Sequence, residues 1–475
     1  MKMFEKEISD SDRFDLIIIG SGAVGSATAF AAARKGFSVC VIEKNPDVCF
    51  ETSGRNSGVV HAGFNNKTGS LKAKYCVKGS KGFESLAKQL DIPYKKTGKY
   101  VVSLNDEDDH LIDGLIEQGI ANGVNVSRVE YNGRPALFSP DTAVTDPFRY
   151  TTAMAEAAYI CGCRFLFQAT IRSIDKQDDL YRFTITFKDR YGEKEYSLSS
   201  DYVINCAGLG AADICAMAGI DKYKVMPCRG EYHIIDPCFG SIPYPVYPAV
   251  DPAAPVLGIH LTPTIDGNIM IGPSSEYLDN GETDDYSTTA DIMDQLFEEG
   301  RKLLPGLTRA ALIRSFSGNR PKLYIGGEPF SDFLIDESLP RFINLLGIES
   351  PGLTASMPLA EDIVSMIDLN AERKVPKPAT ERFPYERMSG ASNQICRCEQ
   401  VTANDILSAY DRIESIGAVP TLKGIKNRTR LGMGRCQGSF CTAEVIKLLR
   451  RERGVNPLRF TYQGDGSHLF TGMTR

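Results

Sequence analysis

No stretch of this 475-residue chain stays apolar for the roughly 20 residues that a membrane-spanning helix needs, so no span is expected. A basic excess is missing too. The 54 Lys and Arg face 60 Asp and Glu, a balance of −6 that argues against nucleic acid or a general membrane surface as partner. The opening residues, MKMFEKEISDSDRF, are polar and acidic and lack the apolar core of a secretory signal. The expected home is the cytoplasm, with any membrane association made through a partner. A disulfide framework is not expected in that reducing compartment, despite 13 cysteines. Nine of them sit in apolar or mixed contexts as small hydrophobes, and four cluster near the C-terminus. Tryptophan is absent, from which nothing functional follows. The length points to about three domains, and 42% hydrophobic residues suffice for sizeable cores.

The strongest pattern runs from Asp15 to Lys44. Asp15–Ile19 reads as a buried parallel strand. Gly20, Gly22 and Gly25 follow at G-x-G-x-x-G spacing. A small-residue helix is expected from Ala23 and Val24 to about Lys35, stopped by Gly36, then a strand over Ser38–Ile42 ending at Glu43. Gly20 permits the tight turn, Gly22 lets backbone approach a pyrophosphate, and Gly25 allows close helix–strand packing. The helix N-terminus offers N–H groups to that pyrophosphate, and Glu43 can accept from a ribose hydroxyl. This predicts a dinucleotide site but does not choose between NAD and FAD.

A long polar loop follows, Glu51–Gly79, with glycines at 58 and 63 on either side of His61. The run Asn56-Ser57-Gly58-Val59-Val60-His61-Ala62-Gly63, with Gly69-Ser70-Leu71-Lys72-Ala73-Lys74 behind it, resembles the flavin-proximal segment of D-amino-acid-oxidase-like flavoproteins. It is closest to the branch of L-2-hydroxyglutarate and FAD-linked glycerol-3-phosphate dehydrogenases. The resemblance implies FAD, contacts from Lys44, Ser53, Asn56, Ser57, Gly58 and Val59, and His61 as the base for the substrate hydroxyl. Imidazole suits that task near neutral pH.

Further on, the pattern predicts helices over 106–122 and 151–159 and a hairpin over 171–187 with its turn at Arg190-Tyr191-Gly192. His110 reads as a surface residue and His233 as structural. Asp201–Gly210 is a strand ending in glycines, and the resemblance brings Ala207 and Gly208 near FAD. From Lys224 to Leu323 the chain is β-rich, with a hairpin around Asp266-Gly267. There GIHLTPTIDGNIMIGP again resembles the hydroxy-substrate branch, which implies a site role for His260 and a substrate contact for Thr262. Arg320 stands where the superfamily keeps an anion-binding arginine, and Lys322 and Arg229 are further candidates; a guanidinium grips carboxylate or phosphate bidentately. Gly318 is expected at the cofactor, as are Gly352, Leu353 and Thr354 at a helix start facing the flavin.

Near the C-terminus stand Cys396-Arg397-Cys398 and Cys436-x4-Cys441, with a capping box at Thr402/Asp405 between them. Four thiolates suit zinc or a 2Fe–2S cluster. The segment resembles the bacterioferritin-associated-ferredoxin-like domain, which implies 2Fe–2S; RTRLGMGRCQGSFC resembles the tail of anaerobic glycerol-3-phosphate dehydrogenase large subunits. The neighbouring Lys423, Lys426, Arg428, Arg430 and Arg435 read either as a solvated face or as charge offsetting the cluster.

The expected fold is α/β: a Rossmann-like FAD-binding domain (13–90, 146–223, 324–370) with an inserted antiparallel-sheet substrate domain (91–145, 224–323). A linker (371–394) and a small, mainly helical iron–sulfur domain (395–475) complete it. The expected activity is oxidation of a small anionic hydroxy substrate, foremost sn-glycerol 3-phosphate to dihydroxyacetone phosphate. Electrons would pass through the cluster to a partner subunit or quinone-linked system. The alternatives are an L-2-hydroxyglutarate or other 2-hydroxy-acid dehydrogenase or oxidase, and a non-catalytic FAD/Fe–S electron-transfer subunit.

Overall fold

The computed structural model describes residues 12–189, 192–250, 258–278, 281–369, 383 and 393–472. Its first sheet has eight strands, five of them parallel at its centre. Strand Arg13–Ile19 pairs in parallel with Val39–Ile42 on one side and with the end of Gly192–Asn205 on the other. Arg164–Leu166 extends one side and Phe342–Leu346 the other. The central residues Leu16, Ile17 and Ile18 are fully buried, as a strand covered on both faces requires. Helices Ala23–Arg34, Pro147–Ile160 and Gly352–Ser365 pack on this sheet.

The glycine turn dictates how closely helix Ala23–Arg34 meets its strand. Gly20 has φ +96°, a left-handed value that suits glycine. A Cβ on Gly25 would fall 2.0 Å from the Gly20 carbonyl oxygen, so only glycine fits there. We expect Gly25→Ala to lift the helix off the turn and yield protein that retains little flavin, read as flavin absorbance per protein.

The second sheet has ten strands, mostly antiparallel, drawn from between Lys99 and Ser139 and between Tyr223 and Phe330. Its spine is the long pairing of Tyr223–Ile235 with Leu312–Ile325. The hairpin His260–Pro263 with Ile269–Gly272 forms as the Asp266-Gly267 turn predicts, Gly267 taking φ +93°.

Three local expectations shift. The helix expected over 106–122 begins at Asp109, because the Asn105 side chain caps a preceding single turn of 3-10 helix. The helix expected over 151–159 starts at Pro147, capped by Asp146. The stretch 171–187 is itself a hairpin turning at Asp178-Asp179, where Asp178 tolerates φ +54°, and a second antiparallel pairing joins Asp189 to Gly192 where the turn is expected. Arg190 and Tyr191 lie outside the described residues, as does nearly all of the 371–394 linker.

The C-terminal segment carries helices Ala403–Ser415, Leu422–Thr429 and Cys441–Arg453. The capping box is present in both directions between Thr402 and Asp405. Ile406, Val445 and Leu449 share one apolar core with Phe30, Val41 and Met154 of the first sheet's layer. Docking is also ionic. Arg428, fully buried, bonds Asp47 at 2.5 and 3.1 Å and Glu156 at 3.0 Å, and Arg412 also meets Glu156.

Candidate functional site

A continuous groove runs from the glycine turn to the second sheet. Its inner half, about 310 Å³, is lined by Gly20, Gly22, Glu43, Lys44, Ala207 and Gly208 among others. Its outer half, also about 310 Å³, is lined by Asn56, Ser57, Val59, His61, Arg320 and Gly352 among others. Ala23, Val24, Thr52, Ser53 and Ile348 line both, so the two halves adjoin at the start of helix Ala23–Arg34, where a dinucleotide would pass from one to the other.

The inner half fits a dinucleotide. Gly22 caps helix Ala23–Arg34 without a side chain, and a Cβ there would press the Ser53 hydroxyl at 2.8 Å. The Ser53 hydroxyl accepts from Ala23 N–H at 2.8 Å. Glu43 is buried at its strand end. Ser21 donates to one of its oxygens through N–H and hydroxyl, and Asn45 to the other through N–H and side-chain amide. These four donors fill the usual capacity of a carboxylate, so a ribose hydroxyl would have to displace one of them to bind Glu43. Lys44 points outward and pairs with Glu51 at 2.8 Å.

At the outer half, Val59–Val60 delivers His61 onto the groove. The His61 N–H donates to Thr354 Oγ1 at 3.0 Å, tying this strand to the start of helix Gly352–Ser365. Gly58, at φ +67°, lets the loop pass the Thr145 carbonyl, which a Cβ would meet at 2.4 Å. Gly318 passes the Arg55 carbonyl in the same way, at 2.3 Å. Burial pulls the His61 imidazole down to about 3, with Lys99 adding to the shift, so it is a neutral proton acceptor at physiological pH. His260, 3% exposed, stacks on Tyr247 at 3.6 Å between ring centroids and lies well below the ordinary histidine range through burial and then Lys99.

The candidate anion anchors separate sharply. Arg320 lines the groove and donates to the carbonyls of Ser274 (2.8 Å), Arg229 and Cys228 (3.4 Å each); no carboxylate pairs with it among the described residues. Arg229 is buried away from the groove and bound to Glu276 at 2.7 Å and Asp285 at 2.8 Å. Lys322 pairs with Glu349 at 2.8 Å, which Lys72 also holds. Thr262 is buried in its strand and does not line the groove. Arg229, Lys322 and Thr262 are thus not brought to the site: acidic residues distant in sequence claim the two cations, and Thr262, on the same strand face as His260, stays buried without reaching the groove.

Lys99 is the residue that sequence reasoning missed. It is 2% exposed, lines the groove, and lies over the Tyr247 ring at 3.6 Å and the Phe64 ring at 4.9 Å. No acceptor or carboxylate meets its ammonium among the described residues, and burial pulls it down to about 7. The available signal was a lysine at the head of an apolar strand, Lys99–Val102, after a glycine. With Arg320 it makes the outer groove electropositive beside two neutral imidazoles.

In the C-terminal segment the four cysteines form two pairs. Cys398 Sγ lies 3.9 Å from Cys436 Sγ, and the Cys396 and Cys441 thiols hydrogen-bond each other. Backbone N–H groups of Gly432 and Glu399 face the Cys396 sulfur, and those of Gly438 and Phe440 face Cys436. A Cβ on Gly434 would meet Cys398 Cβ at 2.3 Å, so glycine lets the two cysteine loops approach. Among the described residues no three His, Cys, Asp or Glu side chains gather to hold one metal ion. Two thiol pairs with amide donors suit a binuclear iron cluster, in which each iron takes two cysteines. Two of the surrounding cations reach across to the second sheet's domain, Arg430 to Asp266 and Arg435 to Asp236, while Arg430 also holds Glu399 within the segment.

Comparison with known proteins agrees with this division. Residues 15–366 match the family model described as FAD dependent oxidoreductase. Residues 394–451 match the BFD-like [2Fe-2S] binding domain. A glycerol 3-phosphate dehydrogenase of Caloramator mitchellensis is 33% identical, over 97% of this chain and 99% of its own. The mitochondrial L-2-hydroxyglutarate dehydrogenase of Arabidopsis thaliana is 29% identical over 74% of this chain and 83% of its own. Among solved structures, the reduced, FAD-bound L-alpha-glycerophosphate oxidase of Mycoplasma pneumoniae superposes with a TM-score of 0.70. It is 24% identical and covers 79% of this chain and 100% of its own, a likeness of fold.

Proposed function

Because this chain belongs to the FAD dependent oxidoreductase family and carries FAD and a [2Fe-2S] domain, we propose that it oxidises the secondary hydroxyl of a small anionic substrate, foremost sn-glycerol 3-phosphate. The observation that carries this reading is one groove in which a neutral His61 faces Arg320 and Lys99, two cations that no carboxylate claims among the described residues. Bound flavin supplies the hydride acceptor, and the cluster supplies a one-electron exit.

The chain's own residues do the rest. A ring nitrogen of His61 accepts the hydroxyl proton as the carbinol carbon loses hydride. Burial keeps that imidazole uncharged, and so free to accept, while making it a weaker base than an exposed histidine. Arg320, with its guanidinium steadied by the Ser274 carbonyl, grips the anionic end. The Lys99 ammonium, desolvated between two aromatic faces, holds the same anion or the hydroxyl beside it. His260, stacked on Tyr247, closes the wall and contributes no charge. Electrons then leave to a partner subunit or a quinone-linked acceptor.

Lys99→Met is expected to raise KM for the anionic substrate roughly ten- to a hundredfold, the worth of one charge-assisted hydrogen bond, with a smaller change in kcat. The L-2-hydroxyglutarate reading is favoured by the second group of relatives. Anaerobic bleaching of the flavin by glycerol 3-phosphate, L-2-hydroxyglutarate and other 2-hydroxy acids decides between them. Bleaching by 2-hydroxy acids alone would overturn the first reading, and bleaching by none would leave an electron-transfer subunit.

A further inference from the structure

Behind the 52–58 loop, on the side away from the groove, lies a separate cavity of about 330 Å³ between the two sheets and the cysteine-bearing segment. Arg55, Asn56 and Ser57 line both spaces, so one short loop is the partition. Five cationic side chains line this cavity, Arg55, Arg314, Lys423, Lys426 and Arg430, against two carboxylates, Asp146 and Asp266. Most of these charges are committed. Arg430 bonds Asp266 and Glu399, and Arg314 bonds Gln437. Arg55 donates to the Ser317 carbonyl and covers the Tyr286 ring, and Lys423 donates to the Phe50 carbonyl. Asp146 is spent on capping its helix.

Lys426 differs. It is 9% exposed, and no hydrogen bond or ion pair reaches its ammonium among the described residues. Burial first, and then the like charges of Arg314, Arg430 and Lys423, pull it down to about 7, so a bound anion is what would hold its proton. The next residue, Asn427, is 3% exposed, and its Nδ2 is a buried donor with no acceptor. Folding does not leave a buried ammonium and a buried amide donor unmatched without cost. Beside them the wall is apolar, made by Phe148, Phe316, Met433 and Ile234.

We propose that this cavity is a binding site for a small organic dianion of the phosphate monoester class. The phosphate oxygens meet Lys426 Nζ and Asn427 Nδ2, and the organic body lies against Phe148, Phe316 and Met433. The donors left free set the class. A carboxylate is best met by a planar guanidinium fork, and each of the three arginines here is already held by a neighbour, Arg55 keeping its buried Nε unmatched. A lysine is a point charge with rotatable donors, which suits tetrahedral phosphate. A dianion also matches the surplus of positive charge that the two carboxylates leave. The site is distinct from the substrate groove, so it stands or falls separately from the reaction proposed above.

Calorimetric titration of the FAD-loaded full chain with phenyl phosphate tests this. Wild type should show two classes of site. Arg320→Met should lose the groove class and keep the other. Lys426→Met should lose the second class, weakened about tenfold or more, the worth of 1.4 kcal/mol, while Lys426→Arg retains it. Inorganic phosphate should bind the second class about tenfold more weakly than phenyl phosphate, for want of the organic body. Removing an unmatched buried charge should leave the ligand-free Lys426→Met protein at least as heat-stable as wild type. Asn427→Leu gives a second variant with the same expected loss. The proposal is overturned if Lys426→Met keeps both classes, if Arg320→Met abolishes all binding, or if inorganic phosphate binds as tightly. A shift in cluster midpoint potential in Lys426→Met with phenyl phosphate binding intact would also overturn it, making Lys426 a counter-charge to the cluster.

Discussion

Replacing His61 by alanine is expected to slow flavin reduction by two to four orders of magnitude, the usual worth of a positioned general base (roughly 10²–10⁴). Anaerobic stopped-flow with a saturating substrate measures the step directly. The His61 side chain bears no hydrogen bond among the described residues, since its anchoring to Thr354 is through the backbone N–H, so the variant should keep its fold and flavin. A near-normal rate would remove His61 from the chemistry. The pH dependence carries a second signature. An ordinary histidine would lose its base form below about 6.5, whereas burial and Lys99 hold His61 down to about 3. The rate of flavin reduction should therefore show no acid limb near the ordinary histidine value. The stability consequence has the opposite convenience. A histidine held uncharged in the fold but free to protonate when unfolded withdraws stability as the pH falls below its unfolded value. Wild type should lose more stability than His61→Ala between about pH 7 and pH 4.

Arg428→Leu is expected to cost about 3–5 kcal/mol, the typical penalty for stranding buried partners of an ion network. Burial by itself pulls Arg428 down, but Asp47 and then Glu156 outweigh it and hold the guanidinium firmly charged. Without it Asp47, fully buried, has no paired cation among the described residues, and Glu156 keeps Arg412 alone there. The loss should appear as a lower urea midpoint and as protease sensitivity of residues 393–472, because this network joins helix Leu422–Thr429 to the layer over the first sheet. Flavin content should change less, since the glycine turn is elsewhere. Exchanging Asp47 and Glu156 together with Arg428 for apolar residues of similar volume should return much of the stability. A single variant as stable as wild type would show that apolar packing alone docks the segment.

What the sequence determined by itself is everything whose cause is local. Gly20, Gly22 and Gly25 specify a turn because backbone and Cβ sterics act within a few residues. The Asp266-Gly267 hairpin and the Thr402/Asp405 capping box follow from the same short range. The loop around His61 was legible because its spacing resembles a family's, although its geometry there depends on a threonine nearly 300 residues away. Only the tertiary structure decided which charges are free. Arg229, Arg320 and Lys322 read alike on two paired strands, yet Glu276, Asp285 and Glu349 claim the first and third and leave Arg320 to the groove. Lys99 and Lys426 look like ordinary lysines until the chain buries them with no ion-pair partner among the described residues. The free energy of a charge depends on its solvation and on neighbours brought close by folding, and neither is written in the spacing of residues along the chain.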